Sequence, residues 1–439
     1  MNAAAAGSPA PMPQLASVWV LVVVAAWPLP GVAEALLSLG ALGTFLWWLT
    51  PRGRRQIAQP GPAVLALVAV VFLGYWLPEA VSALDALDRR QAWHETLLDL
   101  RYLPFLWLVA VAVADVPGRR RVFAGIALIA GAWAADALLD VALGTSPLYW
   151  LLEQVRQLLG IPPRCTGLRA AEAVRLAGVL GPCNPKLGIV LASLSPFVLD
   201  LAWRRLGRGG WLLVAAALGL VVMLAGSRAA WLTFALVLAW SGLRALGWRW
   251  LAVLGVAGAL ALAAASVGSA QVGERVQRTA QALSADTAGV DAALSGRVRI
   301  WTAAWCMVRQ HPVNGVGVRG FREAWPACDP ATATSPAWGS GPALHAHQLV
   351  LEVLSETGII GLLLWLAAVA QLARAWRYAD AQARERTRPA LQALVASTFP
   401  LNTHLAAYSS FWGGALLLLA GLYAGSLWGG VDLRQPPQR

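Results

Sequence analysis

Charge is scarce in this chain. Only 13% of its 439 residues are Asp, Glu, Lys or Arg, about half of what a soluble domain of this size carries. That excludes an ordinary water-soluble globule. Lysine is nearly missing: Lys186 stands alone against 33 arginines, a bias read here as genomic composition. Metal signatures are missing as well. No His-Glu-x-x-His, paired Cys-x-x-Cys or Asp-x-Asp occurs, and His345 and His347 have no acidic cluster between them, so no metal and no cofactor is expected. The turn "HPVNGVGVRG" is not followed by Gly-Lys-Ser/Thr and is not a P-loop. No local motif builds a Ser–His–Asp triad, and no repeat recurs at solenoid spacing. The N-terminal "MNAAAAGSPAPMPQ" has no basic region. Its following apolar run is therefore expected to be a signal anchor.

What the chain has instead is long apolar runs. It is 58% hydrophobic, with a mean hydropathy of +0.60. "VWVLVVVAAW", "LVAVVFLGYWL", "LWLVAVAVA", "WLLVAAALGLVVMLAG" and "GALLLLAGLYAG" are cores of bilayer-length stretches. The 23 tryptophans cluster near the ends of such runs, as interfacial anchors do. The expected class is all-α: a polytopic helical membrane protein of about twelve spans. These begin near Leu15, Ala33, Val64, Leu103, Phe123, Leu187, Trp211, Ala229, Leu251, Gln348, Ala390 and Phe411.

Arginine placement sets the orientation. With both termini in the cytoplasm, "PRGRRQ", "PGRRRVF", "RRLGRGG", "RALGWRW", "RAWRYADAQARERTRP" and the tail face inward. These loops account for the net charge of +12. The basic balance is thus topogenic, and nucleic acid is not an expected partner. The expected organisation is a transmembrane bundle over 1–268 with outer loops 79–101 and 143–186, and a large, mostly helical periplasmic loop domain over 269–346. Spans ten to twelve fill 347–431, and 432–439 form a cytoplasmic tail. Long loops are costly to order unless they have work to do, which puts function on the outer face.

Several residues there carry chemistry. Cys165, Cys183, Cys306 and Cys328 fall in outer segments. Three disulfide connectivities are open, and Cys165–Cys183 with Cys306–Cys328 is the sequence-local one. In "AGSRAAWL", Arg228 sits between two spans with almost no loop. It is either an anchor reaching to lipid headgroups or an anion clamp. "GRVRIWTAAWCMVRQ" reads as a helix from Arg297 to about Gln310, capped by Ser295 or Gly296, with Ile300, Ala303, Ala304 and Met307 on its apolar face. An arginine in a first turn opposes the helix dipole unless an anion joins it. The open alternatives are a phosphate site and an ion pair to a carboxylate such as Asp291. His311 before Pro312 is read as structural. In "HAHQLVLEVLSETGIIG", a helix starting near Ala346 puts His347 in its first turn. His347 is either a solvated helix-start histidine or a base at headgroup level. Glu352 and Glu356, lying deeper, are read as packing or pairing groups. Gly358 and Gly361 would admit a neighbouring helix. Arg101 and Lys186 begin spans on the outer side, as anchors or as contacts to a phosphate or headgroup.

Taken in order, "GSRAAW", "SGRVRIW", "RQHPVNGVGVRGF" and "HAHQLVLEVLSETGIIG" resemble the O-antigen ligase family. That family also includes O-antigen polymerases and protein O-oligosaccharyltransferases. The most specific element is His347, Gln348, nine residues, Gly358, two residues, Gly361. "RLAGVLGPCNPKLG", from Arg175 to Gly188, is similar to a second family segment, but Val179–Leu180 and Lys186 depart from its usual residues. The resemblance covers roughly Arg175 to Leu364. It implies an inner-membrane glycosyltransferase with its active site facing the periplasm. The implied partners are an undecaprenyl-diphosphate-linked glycan donor, a lipid A–core acceptor and membrane lipids. By resemblance, Arg228 and Arg297 bind the diphosphate and His347 activates or orients the acceptor hydroxyl. Arg175, Asn184, Lys186 and Arg101 are the expected substrate-binding residues. Fixed guanidiniums can stabilise a leaving diphosphate without a metal. The rival readings are an O-antigen polymerase with the same donor, a protein O-oligosaccharyltransferase, and a polysaccharide flippase or transporter. A transporter would spread polar groups through the midplane, often in repeated halves. Here they gather at one face.

Overall fold

The computed structural model describes residues 11–162, 165, 175–268, 273–274, 276–277, 297–329, 342–400, 402 and 406–429. Among these residues every regular element is helical. The chain runs α1 (Pro11–Ala25), α2 (Pro30–Trp48), α3 (Pro51–Gln56), α4 (Pro62–Ser82), α5 (Arg89–Leu98), α6 (Tyr102–Ala114), α7 (Val116–Leu143) and α8 (Pro147–Leu158). It continues through α9 (Leu187–Leu224), α10 (Arg228–Ala245), α11 (Trp248–Gly268), α12 (Arg297–Gln310), α13 (Phe321–Cys328), α14 (Leu349–Tyr378), α15 (Ala381–Thr398) and α16 (Ser410–Trp428).

Local chemistry sets these starts. Proline occupies one of the first two positions of α2, α3, α4, α7 and α8, where its missing N–H is no loss. Thr50, Asp88, Asp115, Ser146, Ser227, Gln348, Asp380 and Ser409 each accept the backbone N–H three residues on.

Among the described residues, eight helices are long and apolar enough to cross a membrane. Twelve spans were expected. A helix does stand at each of the twelve positions, but several miss the criteria. α1 is short, and α9 is one 38-residue helix broken at Gly207. α15 was expected as an apolar span from Ala390. It starts at Ala381 and carries Arg384, Glu385, Arg386, Arg388 and Pro389 in its first half. It still runs back along the bundle. Arg384 donates to the Trp376 and Arg377 carbonyls at the end of α14, and Pro400, just past α15, accepts from Gln348 at the opposite end.

The main core is built around α16, which is buried along most of its length and packs on α6, α15 and α4. Trp107, Tyr102 and Phe105 of α6 are among the largest fully buried side chains. α11, in contrast, buries no residue, as fits a helix surrounded by lipid. A second, smaller core joins Ile300, Ala303, Ala304 and Met307 of α12 to Phe321 and Trp325 of α13 and to Ala343 and Ala346. This is the expected apolar face of α12. Much of the expected 269–346 loop domain, with Asp291, Ser295 and Gly296, lies outside the described residues.

Candidate functional site

The site is assembled by three helix starts. Ser227 caps α10 by accepting the Ala230 N–H at 3.4 Å, so Arg228 opens that helix three residues after α9 ends. Gly188 at the head of α9 lies against Ala225 and Ala230, leaving 3.0 and 3.3 Å to their side chains for an added Cβ. Leu176 donates its N–H to the Leu224 carbonyl at 3.4 Å, which draws Arg175 to the same place. Arg297 opens α12 as expected from the sequence. These three arginines act on one another. The Arg297 guanidinium is pushed down to about 10, first by burial and then by the positive charges of Arg228 and Arg175. The positive ends of the α10 and α12 dipoles add to that charge. Two helix starts and three arginines thus concentrate positive charge at one place.

Lys186 and Asn184 lie beside it rather than in it. Both line a cleft of about 360 Å³ with Tyr149, Leu180, Gly181, Pro185 and the Cys165–Cys183 disulfide. The Lys186 ammonium sits over the Phe411 ring at 4.7 Å and the Trp412 ring at 6.0 Å. Burial lowers its pKa. Arg101 is placed elsewhere. Its guanidinium donates to Ser38 at 3.0 Å and Glu34 at 3.2 Å and pairs with Asp99 at 3.7 Å. That is the arrangement of an internal ion pair between helices, not of an open substrate contact.

His347 departs from its expected place. α14 begins at Leu349, and the Gln348 side chain, not a first-turn histidine, caps it by accepting the Leu351 N–H. His347 lies just ahead, in the left-handed region at φ 53°. A side chain there costs roughly 1–3 kcal/mol, and such strain gathers at functional sites. The turn brings His345 onto His347, with ring nitrogens 3.1 Å apart and ring centroids at 3.9 Å. The sequence reading passed over His345 as a partner. Residues two apart on a helix do not face each other, and only the left-handed turn makes them meet.

α12 is fixed to the first arm of α14. Pro312 and Val313 accept the N–H groups of Ile359 and Ile360, while Val316 and Gly317 donate to Ser355 and Glu356. Ala346 joins the α12 core at the other end. The two helices thus run in the same direction, which puts Arg297 and His347 on one side. Glu352 and Glu356 are buried pairing groups, as expected. Glu356 accepts the Arg319 N–H at 2.8 Å, and Glu352 accepts the Tyr408 N–H at 3.3 Å. Gly358 does more than admit a neighbour. It breaks α14 at φ 64°, and a Cβ there would meet the Val313 carbonyl oxygen at 2.1 Å. Gly361 faces Pro78 of α4.

Both sequence-local disulfides, Cys165–Cys183 and Cys306–Cys328, are formed. Among the described residues no group of three or more His, Cys, Asp or Glu is placed to hold a metal ion.

No curated protein matches the chain. Residues 206–366 match the sequence model of the family described as O-antigen ligase. That stretch contains Arg228 and Arg297 at the second and third helix starts, His345 and His347 of the strained turn, and Gly358 and Gly361 of α14. Over that stretch the chain is similar to the O-antigen ligase family, in a molecule whose described residues include eight helices long and apolar enough to cross a membrane.

Proposed function

We propose that this protein is an O-antigen ligase: an inverting, metal-independent glycosyltransferase of the bacterial inner membrane. It moves a glycan from undecaprenyl diphosphate to a sugar hydroxyl of lipid A–core on the periplasmic side. The observation that carries this reading is the mutual repulsion of Arg297, Arg228 and Arg175 at two helix starts. A diphosphate relieves that repulsion, and relieves it most when its charge grows. In the transfer, the acceptor oxygen bonds to the anomeric carbon as the bond from that carbon to the phosphate oxygen breaks. The electron pair leaves with undecaprenyl diphosphate, and the arginines stabilise the added charge. Attack opposite the leaving group inverts the anomeric centre. The proton of the hydroxyl passes to His347 and then to water. If His345 accepts the Nδ1–H of His347 across their 3.1 Å contact, the Nε2 of His347 is left as the basic nitrogen. Lys186 and Asn184, lining the adjoining cleft, are assigned to the substrate headgroup.

The test is direct. His347→Ala and Arg228→Ala are each expected to reduce transfer by about 10²-fold or more, with membrane insertion unchanged. Near-wild-type transfer by His347→Ala would remove the base assignment. Transfer should persist in chelator; a loss rescued by added divalent ion would refute the metal-free step. The second reading, an O-antigen polymerase, shares the donor chemistry and differs in its acceptor. Offering the reconstituted protein lipopolysaccharide core and a second lipid-linked repeat in competition separates the two by which one is extended.

A further inference from the structure

Helix α8 is built inside out. Its exposed face carries Trp150, Leu151, Val155 and Leu158, with relative exposures of 58%, 52%, 46% and 87%. At 100° per residue these four fall on one side of the helix. The opposite side holds Tyr149, Glu153 and Arg156. Glu153 is buried and pairs with Arg156 at 3.5 Å, and Tyr149 covers Gly181 and lines the cleft with Lys186. A helix on a water-facing surface has the reverse arrangement.

The position of α8 says what surrounds it. Asp136 of α7 is buried, accepts the Ser146 hydroxyl at 2.6 Å and the Leu148 N–H at 2.8 Å, and so fixes the head of α8. Asp136 lies seven residues before the end of α7, about 10 Å down that helix. The chain leaves α7 at Leu143, folds back, and begins α8 at this lower level. Leu139 and Leu143, one turn apart at the end of α7, are exposed there too. α7 is among the helices long and apolar enough to cross a membrane, so the head of α8 is fixed to a candidate span.

We infer that α8 is an interfacial membrane helix, its Trp150–Leu158 face buried in the acyl chains of the leaflet beside the cleft, with Tyr149 on its other face lining that cleft. Its partner is the lipid surface itself, bound through apolar area at the headgroup boundary. Trp150 and Tyr149 occupy the amphipathic positions such helices favour.

No described cysteine is free, so a single introduced thiol can be spin-labelled in the full chain. Leu151→Cys and Leu158→Cys are labelled in phospholipid nanodiscs, with Arg309→Cys on exposed α12 as the aqueous control. Collision with oxygen, which partitions into lipid, is compared with collision with a water-soluble nickel chelate. Both α8 sites should give an oxygen-to-nickel ratio several-fold above that of Arg309→Cys. Adding Leu151→Asp to the Leu158→Cys chain should lower its ratio toward the control. Ratios equal to the control at both sites would overturn the inference. So would spin–spin broadening between copies, which would assign the face to a second chain.

Discussion

Arg297, the proposed diphosphate contact, is held by the fold in a place that disfavours its charge. Its pKa falls on folding, to about 10, because it is buried beside Arg228 and Arg175. The charged form therefore costs stability at every pH below about 10, and the cost fades only as pH rises from there toward the ordinary guanidinium value. Arg297→Gln should stabilise the ligand-free protein at neutral pH, on the order of 1–3 kcal/mol, and should lose transfer. A thermal melt read beside a transfer assay checks both signs; a destabilised variant would mean that Arg297 holds the fold. His345 makes a second prediction at this scale. As a positioning residue it should affect turnover and not donor binding, so His345→Ala should lower kcat by about 10- to 100-fold, short of the loss of the base itself, with KM unchanged. The helix starts at Arg228 and Arg297 were legible in the sequence because capping is local. The His345–His347 pair was not, since it needs a backbone conformation that helical periodicity does not include. The internal partners of Arg101 were hidden for a similar reason: Glu34 and Ser38 lie more than sixty residues away.

At the level of elements, the coupling of α12 to α14 decides whether the arginines and the histidine share a pocket. Gly358 is where that coupling is tightest, since the 312–316 backbone hydrogen-bonds into the break. Gly358→Ala forces a side chain into a left-handed conformation and onto the Val313 carbonyl. It should destabilise by at least about 1–3 kcal/mol and lower transfer although Gly358 touches no substrate. A Gly358→Ala protein with unchanged melting and activity would uncouple the two helices. The Cys306–Cys328 disulfide ties α12 to α13 across 22 residues. Removing it with a double Ser substitution should cost about 3 kcal/mol by loop-closure entropy, measurable as a drop in Tm under non-reducing conditions. The sequence showed α12 from Arg297 to Gln310 and the turn at Pro312, because periodicity and a proline mark both. The break at Gly358 was hidden inside an apolar run that reads as one helix. α15 was readable only in its second half, where its polar first turns have given way to apolar residues.

Across the whole molecule, polar groups gather at two opposite ends, and the ends differ in kind. At one end Glu385 draws in Arg244 at 2.6 Å, Arg388 at 2.9 Å and Arg204 at 3.6 Å, and Arg386 donates to the Ser426 and Leu427 carbonyls. These residues come from loops that the arginine count places in the cytoplasm. Their side chains are substantially exposed, so each pair contributes under about 1 kcal/mol; what they mark is an orientation. At the other end, Gln348 meets Pro400, and the arginine cluster, His347 and both disulfides follow. Disulfides persist in an oxidising compartment, which agrees in sign with the arginine rule from independent chemistry. The expected topology is therefore that an impermeant maleimide applied to spheroplasts labels Arg309→Cys and spares Arg377→Cys, and that both react after lysis. Labelling of Arg377→Cys alone would turn the arginine cluster toward the cytosol. A donor glycan presented on the periplasmic leaflet could not then reach it, and the ligase reading would fail with its orientation, whatever the single-site variants had shown.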